Sequence, residues 1–149
     1  MDDQMLPAIP CMCGSLRRAA RALTQVYEKE LRPLGLRSTQ FTILQVISRT
    51  GELTQRKLGG ILAMDSTSLT RTLAVMLREG WITEHRGEDR RERWIDMSRA
   101  GEKKLNAALP VWDKVQASRR QQIGTQSWKN LMQLTRQLTH FAAIEGDSL

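Results

Sequence analysis

The sequence contains little of the chemistry that most enzymes and metal proteins need. It has 2 cysteines and 2 histidines in 149 residues, and His85 and His140 stand apart from each other. A zinc site needs Cys and His at short, regular spacing, so no bound metal or other cofactor is expected. The sequence also has no Ser/His/Asp or Cys/His spacing and no glycine-rich phosphate loop. We therefore expect a protein that is not an enzyme and has no catalytic residues.

Long apolar runs are also missing. A helix that crosses a bilayer needs about 20 consecutive apolar residues, whereas the apolar runs here are only a few residues long. The first ten residues, MDDQMLPAIP, contain aspartates and prolines where a secretory signal has a basic start and an apolar stretch. We expect a cytoplasmic protein without a membrane partner, in which the thiols do not form a disulfide framework.

Positive charge, in contrast, is present in excess. The formal net charge is +7, which favours a polyanionic partner such as nucleic acid. Each basic cluster, taken alone, could be no more than a solvated helix face. The clusters are Arg17, Arg18 and Arg21; Arg86, Arg90, Arg91 and Arg93; Lys103 and Lys104; and Arg119 and Arg120.

Apolar residues at helical spacing predict two helices in the first third of the chain. The first covers about residues 11–32, and Pro33 and Gly35 end it. Ser38 is the expected N-cap of the second helix, and Gly51 closes it. Both helices are amphipathic, so each should bury one face.

The middle of the chain predicts a helix-turn-helix followed by a β-hairpin. Thr54 is expected to cap the first short helix and Asp65 or Ser66 the second, which ends at Gly80. The segments WITEHR and RWIDM then alternate like strands, and GEDRRE between them is typical of a turn. Together these elements predict a winged helix over residues 38–98.

Two more helices are predicted at the end of the chain. Ser98 opens the first, which Pro110 is expected to kink or interrupt, and the second runs from about Thr125 to Ile144. The helices in residues 11–37 and 99–145 carry apolar stripes that usually bury against another copy of the same chain.

The expected fold is therefore mainly α with a small β-hairpin. A winged helix-turn-helix is flanked by N- and C-terminal dimerisation helices, all within a single domain over residues 1–149. The expected partner of such a chain is a second copy of itself, giving a homodimer.

The second helix of the helix-turn-helix has small hydroxyl and arginine side chains off its apolar stripe. Such side chains fit a major groove about 12 Å wide, where hydroxyls reach phosphates and base edges and arginine reads guanine. Arg71 is the candidate base reader, although an ordinary exposed helix surface would look similar. The candidate contacts to double-stranded DNA on this helix are Ser66, Thr67, Ser68, Thr70, Arg71 and Arg78.

The turn of the hairpin is dense in charge. Arg90, Arg91 and Arg93 follow Glu88 and Asp89, so an aspartate can hold an arginine extended toward a narrow, negative minor groove. The alternative is a turn that is merely solvated. A helix in one groove and the hairpin in the next would hold a duplex. Arg90, Arg91 and Arg93 are therefore further candidate DNA contacts.

The same residues resemble a known family. The stretch MDSTSLTRTLAVMLREGWITEHRGEDRRERWIDMSRAGEKKL combines D-S-x-x-L-T-R-x-L, the phrase LREGWI, and a wing pattern D-x-R followed by an apolar pair, a serine and a glycine. This combination is similar to the MarR family of winged-helix regulators. The resemblance implies a homodimeric repressor on a pseudo-palindromic operator, released by a small molecule or an oxidant. It also implies that Asp89 braces Arg91 for the minor groove.

The only two cysteines lie near the start of the first helix. The segment CGSLRRAARALTQVY resembles the first helix of the organic-hydroperoxide sensors of that family. The resemblance places Cys13 at the reactive position and Tyr27 at a tyrosine that hydrogen-bonds the thiolate. Tyr27 lies 14 residues beyond Cys13, about 21 Å along a helix, so it can reach Cys13 only from a partner subunit.

The chain departs from those sensors at two places. Arg17 stands where they carry an aromatic residue, and Tyr27 is the only tyrosine although they have a second one. Arg17 and the positive end of the helix dipole would favour a reactive thiolate by other means. Cys11 would point roughly 200° away from Cys13 on a helix, so a link between subunits is easier than one within the chain. Alternatively, both cysteines are simply small packed residues.

A small aromatic or phenolic ligand is the other effector that the sequence allows. The family often binds aromatic acids between the dimerisation helices and the winged helix, and Arg17, Arg21, Trp112 and Trp128 would suit such a cleft. Core or interface packing is the competing explanation for the tryptophans. A third class of protein is an interaction module without DNA, which would lack the steep salt dependence of DNA binding.

Overall fold

Helices dominate the chain, and three short strands form one small sheet. The computed structural model describes the backbone of residues 11–146 and the side chains of residues 11–141. It confirms the expected fold class. In chain order the elements are α1 (Met12–Leu31), a 3-10 turn (Arg32–Leu34), α2 (Ser38–Thr50), β1 (Leu53–Thr54), α3 (Gln55–Leu62), α4 (Ser66–Arg78), β2 (Ile82–Arg86), β3 (Arg93–Met97), α5 (Arg99–Ile123) and α6 (Thr125–Gly146).

The hairpin pairs with a third strand that the sequence did not predict. The strands are antiparallel in the order β1-β3-β2, with Leu53 opposite Ile95 and His85 opposite Trp94. β1 has only 2 residues, too few for the alternation by which strands are recognised. Because β1 leads directly into α3, this pairing ties β2, β3 and the turn between them, together called the wing, to the helix-turn-helix.

The apolar stripe of α4 is buried against α2, α3 and β2. Leu69, Leu73 and Met76 are at most 1% exposed, and they recur every three or four residues along one face. Leu58 of α3 and Ile95 of β3 are buried in the same cluster. Burying one such side chain stabilises a fold by roughly 1.5–3 kcal/mol. The stripe therefore fixes which face of α4 turns outward.

The start of α2 is held by a residue of α1. The prediction that Ser38 caps α2 is wrong, because Ser38 is the first helical residue and Arg37 occupies the cap position. Glu28 supplies the acceptor instead: its carboxylate accepts from the Ser38 amide at 2.8 Å and from the Ser38 hydroxyl at 2.9 Å. Arg37 donates to the same carboxylate at 3.2 Å. One side chain thereby fixes α1 to α2.

This arrangement predicts a pH-dependent contribution to stability. Burial works to raise the pKa of Glu28, but the hydrogen bonds from Ser38 and Arg37 outweigh it, and the pKa is lowered. Such a carboxylate stabilises the fold above its unfolded pKa, about 4.3, and the contribution is lost as pH falls through the folded pKa. We expect Glu28→Gln to lower the free energy of unfolding by about 1–2 kcal/mol at pH 7, measured by urea denaturation, and by much less at about pH 3.5.

Glu30→Gln is the matched control, because Glu30 is an exposed carboxylate on the same helix. It should leave the unfolding curves close to those of the parent protein at both pH values. An equal loss at both pH values for Glu28→Gln would contradict a role for the charged carboxylate.

α5 passes through Pro110 without a break. Pro110 was predicted to kink or interrupt this helix; the interruption is wrong, since one continuous helix covers Arg99–Ile123, and the kink stays a prediction. Proline removes one N–H donor and crowds the preceding turn. Ala108 before it and Val115 after it are both buried, and this packing on either side holds the helix together. The last helix begins at Thr125, as predicted.

The first turn of α5 packs directly on the base of the wing. Ser98 caps the helix by accepting from the Gly101 amide at 3.1 Å, and the Ser98 amide donates to the Trp81 carbonyl at 3.0 Å. Gly101 is buried against that same carbonyl. Lys104 donates to the Leu34 carbonyl at 2.8 Å and lies over the Trp81 ring. α5 therefore connects the wing to the junction of α1 and α2.

Candidate nucleic-acid interface

Two side-chain caps set the positions of α3 and α4. Thr54 accepts from the Lys57 amide at 3.2 Å, and Asp65 accepts from the Ser68 amide at 2.8 Å. Both caps were predicted, and Asp65 rather than Ser66 is the cap of α4. The bond from the Ser68 amide lowers the pKa of Asp65, so a negative charge faces the positive end of α4 at neutral pH. The two helices of the helix-turn-helix thus begin where the sequence indicated.

α4, the recognition helix, presents one polar face to solvent. Arg71 and Arg78 have no acidic partner among residues 11–141, so no carboxylate in that range neutralises either guanidinium. All the predicted contacts on this helix are exposed: Ser66, Thr67, Ser68, Thr70, Arg71 and Arg78.

The turn of the wing is held in shape by its own hydrogen bonds. The Gly87 amide donates to the Glu92 carbonyl at 3.3 Å, and the Glu92 amide donates to the Asp89 carbonyl at 2.9 Å. Asp89 also accepts from the Arg91 amide at 2.9 Å. The predicted brace therefore acts on the backbone of Arg91, and within the described part of the chain Asp89 makes no ion pair with the guanidinium. The Arg91 side chain is left exposed above an ordered turn.

The three wing arginines differ in their surroundings. Arg93 on β3 pairs with Glu84 on β2, with its Nε 3.0 Å from the carboxylate. Arg93 is consequently half-buried, whereas Arg90 and Arg91 are exposed at the turn. Arg86 donates to the Arg90 carbonyl at 3.3 Å. Arg90 and Arg91 are thus the cations that project beyond the strands, while Arg93 joins the two strands.

His85 ties the wing to the loop before β1. Its imidazole contacts the Glu52 carboxylate and stacks on Trp94, with ring centroids 6.3 Å apart and planes 5° apart. The hydrogen bond to Glu52 raises the pKa of His85, which strengthens this link as pH falls. No group of three His, Cys, Asp or Glu side chains able to hold a metal ion occurs among the described residues.

A cleft of about 1270 Å³ lies between α3, the start of α4, the turn of the wing and α6. Gln55 and Arg56 line it together with Thr70 and Arg91. Sequence reasoning missed Gln55 and Arg56. The signal was the segment TQRK, in which polar and basic side chains follow directly on the cap Thr54 at a helix N-terminus.

Both cysteines are exposed at the start of α1. Cys11 precedes the helix in extended backbone, with φ −137° and ψ 119°, and its Sγ accepts from the Gly14 amide at 3.4 Å. The prediction that Cys11 lies on the helix is therefore wrong, because the residue turns back to cap it. Cys13 lies in the first turn, and Arg17 NH2 is 3.9 Å from its Sγ. The expected proximity of Arg17 to Cys13 is thus present.

A second cavity, of about 420 Å³, lies where α1 meets α2 and α5. Tyr27, Phe41 and Trp112 contribute its aromatic lining. Burial raises the pKa of Tyr27, and the charge of Arg119 partly offsets this. Gln116 lines the same cavity, and its Oε1 is buried with no hydrogen-bond partner in the described part of the chain.

Of the four side chains expected to line an interdomain cleft, Trp112 contributes to this cavity, and the expectation for the other three stays a prediction. Arg17, Arg21 and Trp128 do not line this second cavity. The two arginines lie on the exposed side of α1, and Trp128 belongs to α6. The sequence alone could not show which elements would close this cavity.

The fold and the site together define a winged-helix protein with a solvent-facing recognition helix. The sequence pattern of the MarR family matches residues 36–92, from the start of α2 to the turn of the wing. A crystal structure of the M. tuberculosis transcriptional regulator MosR in complex with DNA is 37% identical, with a TM-score of 0.82, and covers 93% of this chain and 99% of that one. The chain belongs to the MarR family of transcriptional regulators.

More distant proteins are also similar to the chain. The HTH-type transcriptional regulator YwoH of Bacillus subtilis is 29% identical over 89 residues. That match covers 60% of this chain, and the chain spans 65% of the length of YwoH. A crystal structure of an E. coli MarR variant with operator DNA has the same fold, at 18% identity and a TM-score of 0.75, and covers 85% of this chain and 92% of that one. None of the described helices is long and apolar enough to cross a membrane.

Proposed function

We propose that the protein is a sequence-specific DNA-binding repressor that acts in the cytoplasm. The observation that carries the proposal is the presence of two exposed cationic surfaces. One is the polar face of α4, where Arg71 has no acidic partner among residues 11–141. The other is the turn of the wing, with Arg90 and Arg91. Arg71 suits a base edge in the major groove, and the turn suits the adjacent minor groove. The DNA complex of a regulator 37% identical to this chain supports the same conclusion.

The repressor would act as a homodimer on a pseudo-palindromic operator. α1, α5 and α6 hold all but Ile61 of the large apolar side chains that are exposed among the described residues: Met12, Leu16, Leu23, Ile123, Met132, Leu134 and Phe141. Exposed apolar stripes of this kind favour burial against a second copy. A twofold dimer presents two recognition helices, so we expect half-sites about 34–36 Å apart.

Salt dependence and Arg91 together test DNA binding. Each contact between a cation and a phosphate releases counterions, so affinity should fall steeply as salt rises. We expect Arg91→Ala to weaken binding to the DNA upstream of its own coding region and to reduce the magnitude of the salt slope by about 1, measured by fluorescence anisotropy.

Arg120→Ala is the matched control for charge. Arg120 is exposed and lies about 30 Å along α5 from the wing, so it should change neither affinity nor slope. Identical curves for Arg91→Ala and the parent protein would contradict the proposed wing contact.

Thiol oxidation at Cys13 is the proposed release mechanism. In the presence of an organic hydroperoxide, the Cys13 thiolate attacks the terminal oxygen, an S–O bond forms, the O–O bond breaks, and the alkoxide takes up a proton to leave as an alcohol. Cys13 becomes a sulfenic acid and the hydroperoxide is reduced. Exposure of Cys13 and its contact with Arg17 support this step. The new polar group would lie beside Met12 and Leu16, within the apolar surface assigned to the dimer.

The oxidant response can be separated from general damage with one variant. Cumene hydroperoxide should abolish DNA binding, dithiothreitol should restore it, and Cys13→Ser should remain bound throughout. Loss of binding that persists in Cys13→Ser would contradict the role of this thiol.

A small aromatic ligand is the second candidate effector. It is favoured by the unpartnered Oε1 of Gln116 in the cavity lined by Trp112, because a phenol could stack on the indole and donate its hydroxyl to that oxygen. Binding that ignores oxidant but is weakened by simple phenols, in the parent protein and not in Gln116→Leu, would favour this alternative.

A further inference from the structure

Thr70 differs in its hydrogen bonding from five other helical threonines of this protein. In α-helices a threonine hydroxyl commonly donates to the carbonyl four residues earlier. Thr42, Thr50, Thr72, Thr135 and Thr139 all do so, at 2.8–3.0 Å. Thr70 makes no such bond, and its one hydrogen bond within the described residues is to Gln55.

The amide of Gln55 determines which residue is the donor and which is the acceptor in that hydrogen bond. Its Nε2 donates to Thr70 Oγ1 at 2.8 Å, whereas its Oε1 is buried and has no partner among the described residues. The reverse orientation of the amide would bury two N–H donors in place of one oxygen, which is a worse arrangement. Thr70 therefore accepts from Gln55, and its own hydroxyl proton is directed elsewhere.

The consequence follows from the position of Thr70. It is exposed on α4 directly before Arg71, and it lines the same cleft as Gln55 and Arg91. A hydroxyl whose proton has no acceptor among the described residues is available as a donor to a molecule bound against this surface. Unpartnered buried groups such as Gln55 Oε1 often mark functional positions.

We infer that Gln55 is a positioning residue that keeps Thr70 as a hydrogen-bond donor to an acceptor atom of the bound duplex, through the 2.8 Å contact between them. The acceptor is either a base atom in the major groove or a phosphate oxygen, since both accept from a hydroxyl. The inference rests on the proposed function, because it requires that α4 binds DNA. Without Gln55, the Thr70 hydroxyl is expected to turn back to the carbonyl of Ser66, as the hydroxyls of those five threonines do.

A double-mutant cycle tests the coupling. Thr70→Val removes the hydroxyl and keeps the shape, and Gln55→Met removes the amide and keeps the length. We expect each to weaken binding to the upstream duplex by about 3- to 10-fold, and the double variant to bind no worse than Thr70→Val alone. Thr72→Val is the matched control: its hydroxyl already donates within the helix, and it should bind like the parent.

The DNA then distinguishes the two acceptors. If the acceptor is a base atom, the loss in Thr70→Val should disappear on a duplex in which that one base pair is changed or carries 7-deazapurine. If it is a phosphate, the loss should be equal on all sequences and disappear with one methylphosphonate. Both patterns support the inference.

Other outcomes overturn it in distinguishable ways. If Arg91→Ala weakens binding but Thr70→Val and Gln55→Met bind like the parent, the role of Gln55 is wrong and the proposed function stands. Additive losses in the double variant would show that the two residues act separately. If the parent protein shows no salt-dependent binding to DNA, both proposals fall together.

Discussion

Replacing Arg71 with alanine is expected to weaken binding to the operator by about 10- to 100-fold, because a bidentate contact from arginine to guanine contributes roughly 1–3 kcal/mol. The residue is exposed on α4, and no acidic group among residues 11–141 competes for its guanidinium. The buried stripe of Leu69, Leu73 and Met76 fixes the face on which it stands. The measurement is the dissociation constant on the upstream duplex and on a duplex of random sequence.

Arg71→Lys separates base reading from charge. Lysine keeps the positive charge but loses the planar fork that matches guanine. We expect it to retain most of the affinity for random DNA and to lose most of the preference for the operator. If alanine and lysine at this position both leave the preference intact, Arg71 does not read a base.

Replacing Gly101 with alanine is expected to destabilise the fold by about 2–3 kcal/mol, although alanine normally stabilises a helix relative to glycine. A Cβ at Gly101 would lie 2.0 Å from the Trp81 carbonyl oxygen and 2.9 Å from its carbon. That carbonyl is held in place by the Ser98 amide and cannot simply rotate away. The start of α5 must therefore move off the base of the wing. Chemical denaturation measures the loss directly.

Gly60→Ala is expected to change the free energy of unfolding in the opposite direction in the same experiment. Gly60 is helical and exposed in α3, and a Cβ there would meet no atom within 4 Å. We expect it to stabilise the protein by about 0.5–1 kcal/mol. If both substitutions stabilise, the close packing of α5 on Trp81 is not a constraint on the fold.

The parts of the fold that could be predicted from sequence are those set by local patterns. The caps Thr54 and Asp65 and the stripe of α4 act over three or four residues, so the helix-turn-helix could be predicted from sequence. The role of Glu28 could not be predicted from sequence, because its hydrogen bonds reach ten residues along the chain to Ser38. Continuity of α5 through Pro110 depends on packing from other elements, which outweighs the local preference.

The candidate site also has features that could be predicted from sequence and features that could not. Exposure of Arg71, Arg90 and Arg91 followed from helical spacing and turn composition. The link from Gln55 to Thr70 joins residues fifteen apart on two helices, and no pattern in one sequence shows such a pair. Ion pairing of Arg93 with Glu84 likewise depends on the register of β2 and β3.

Sequence-specific DNA binding is tested most directly by the affinity of the protein for its own upstream DNA. The measurement is fluorescence anisotropy at about 150 mM salt, with a random duplex of equal length for comparison. A sequence-specific DNA-binding repressor should bind the upstream duplex about 10³-fold or more tighter than the random duplex. Its affinity for both should fall as salt rises. Equal affinity for the two duplexes, or binding that does not change with salt, would contradict a sequence-specific DNA-binding function.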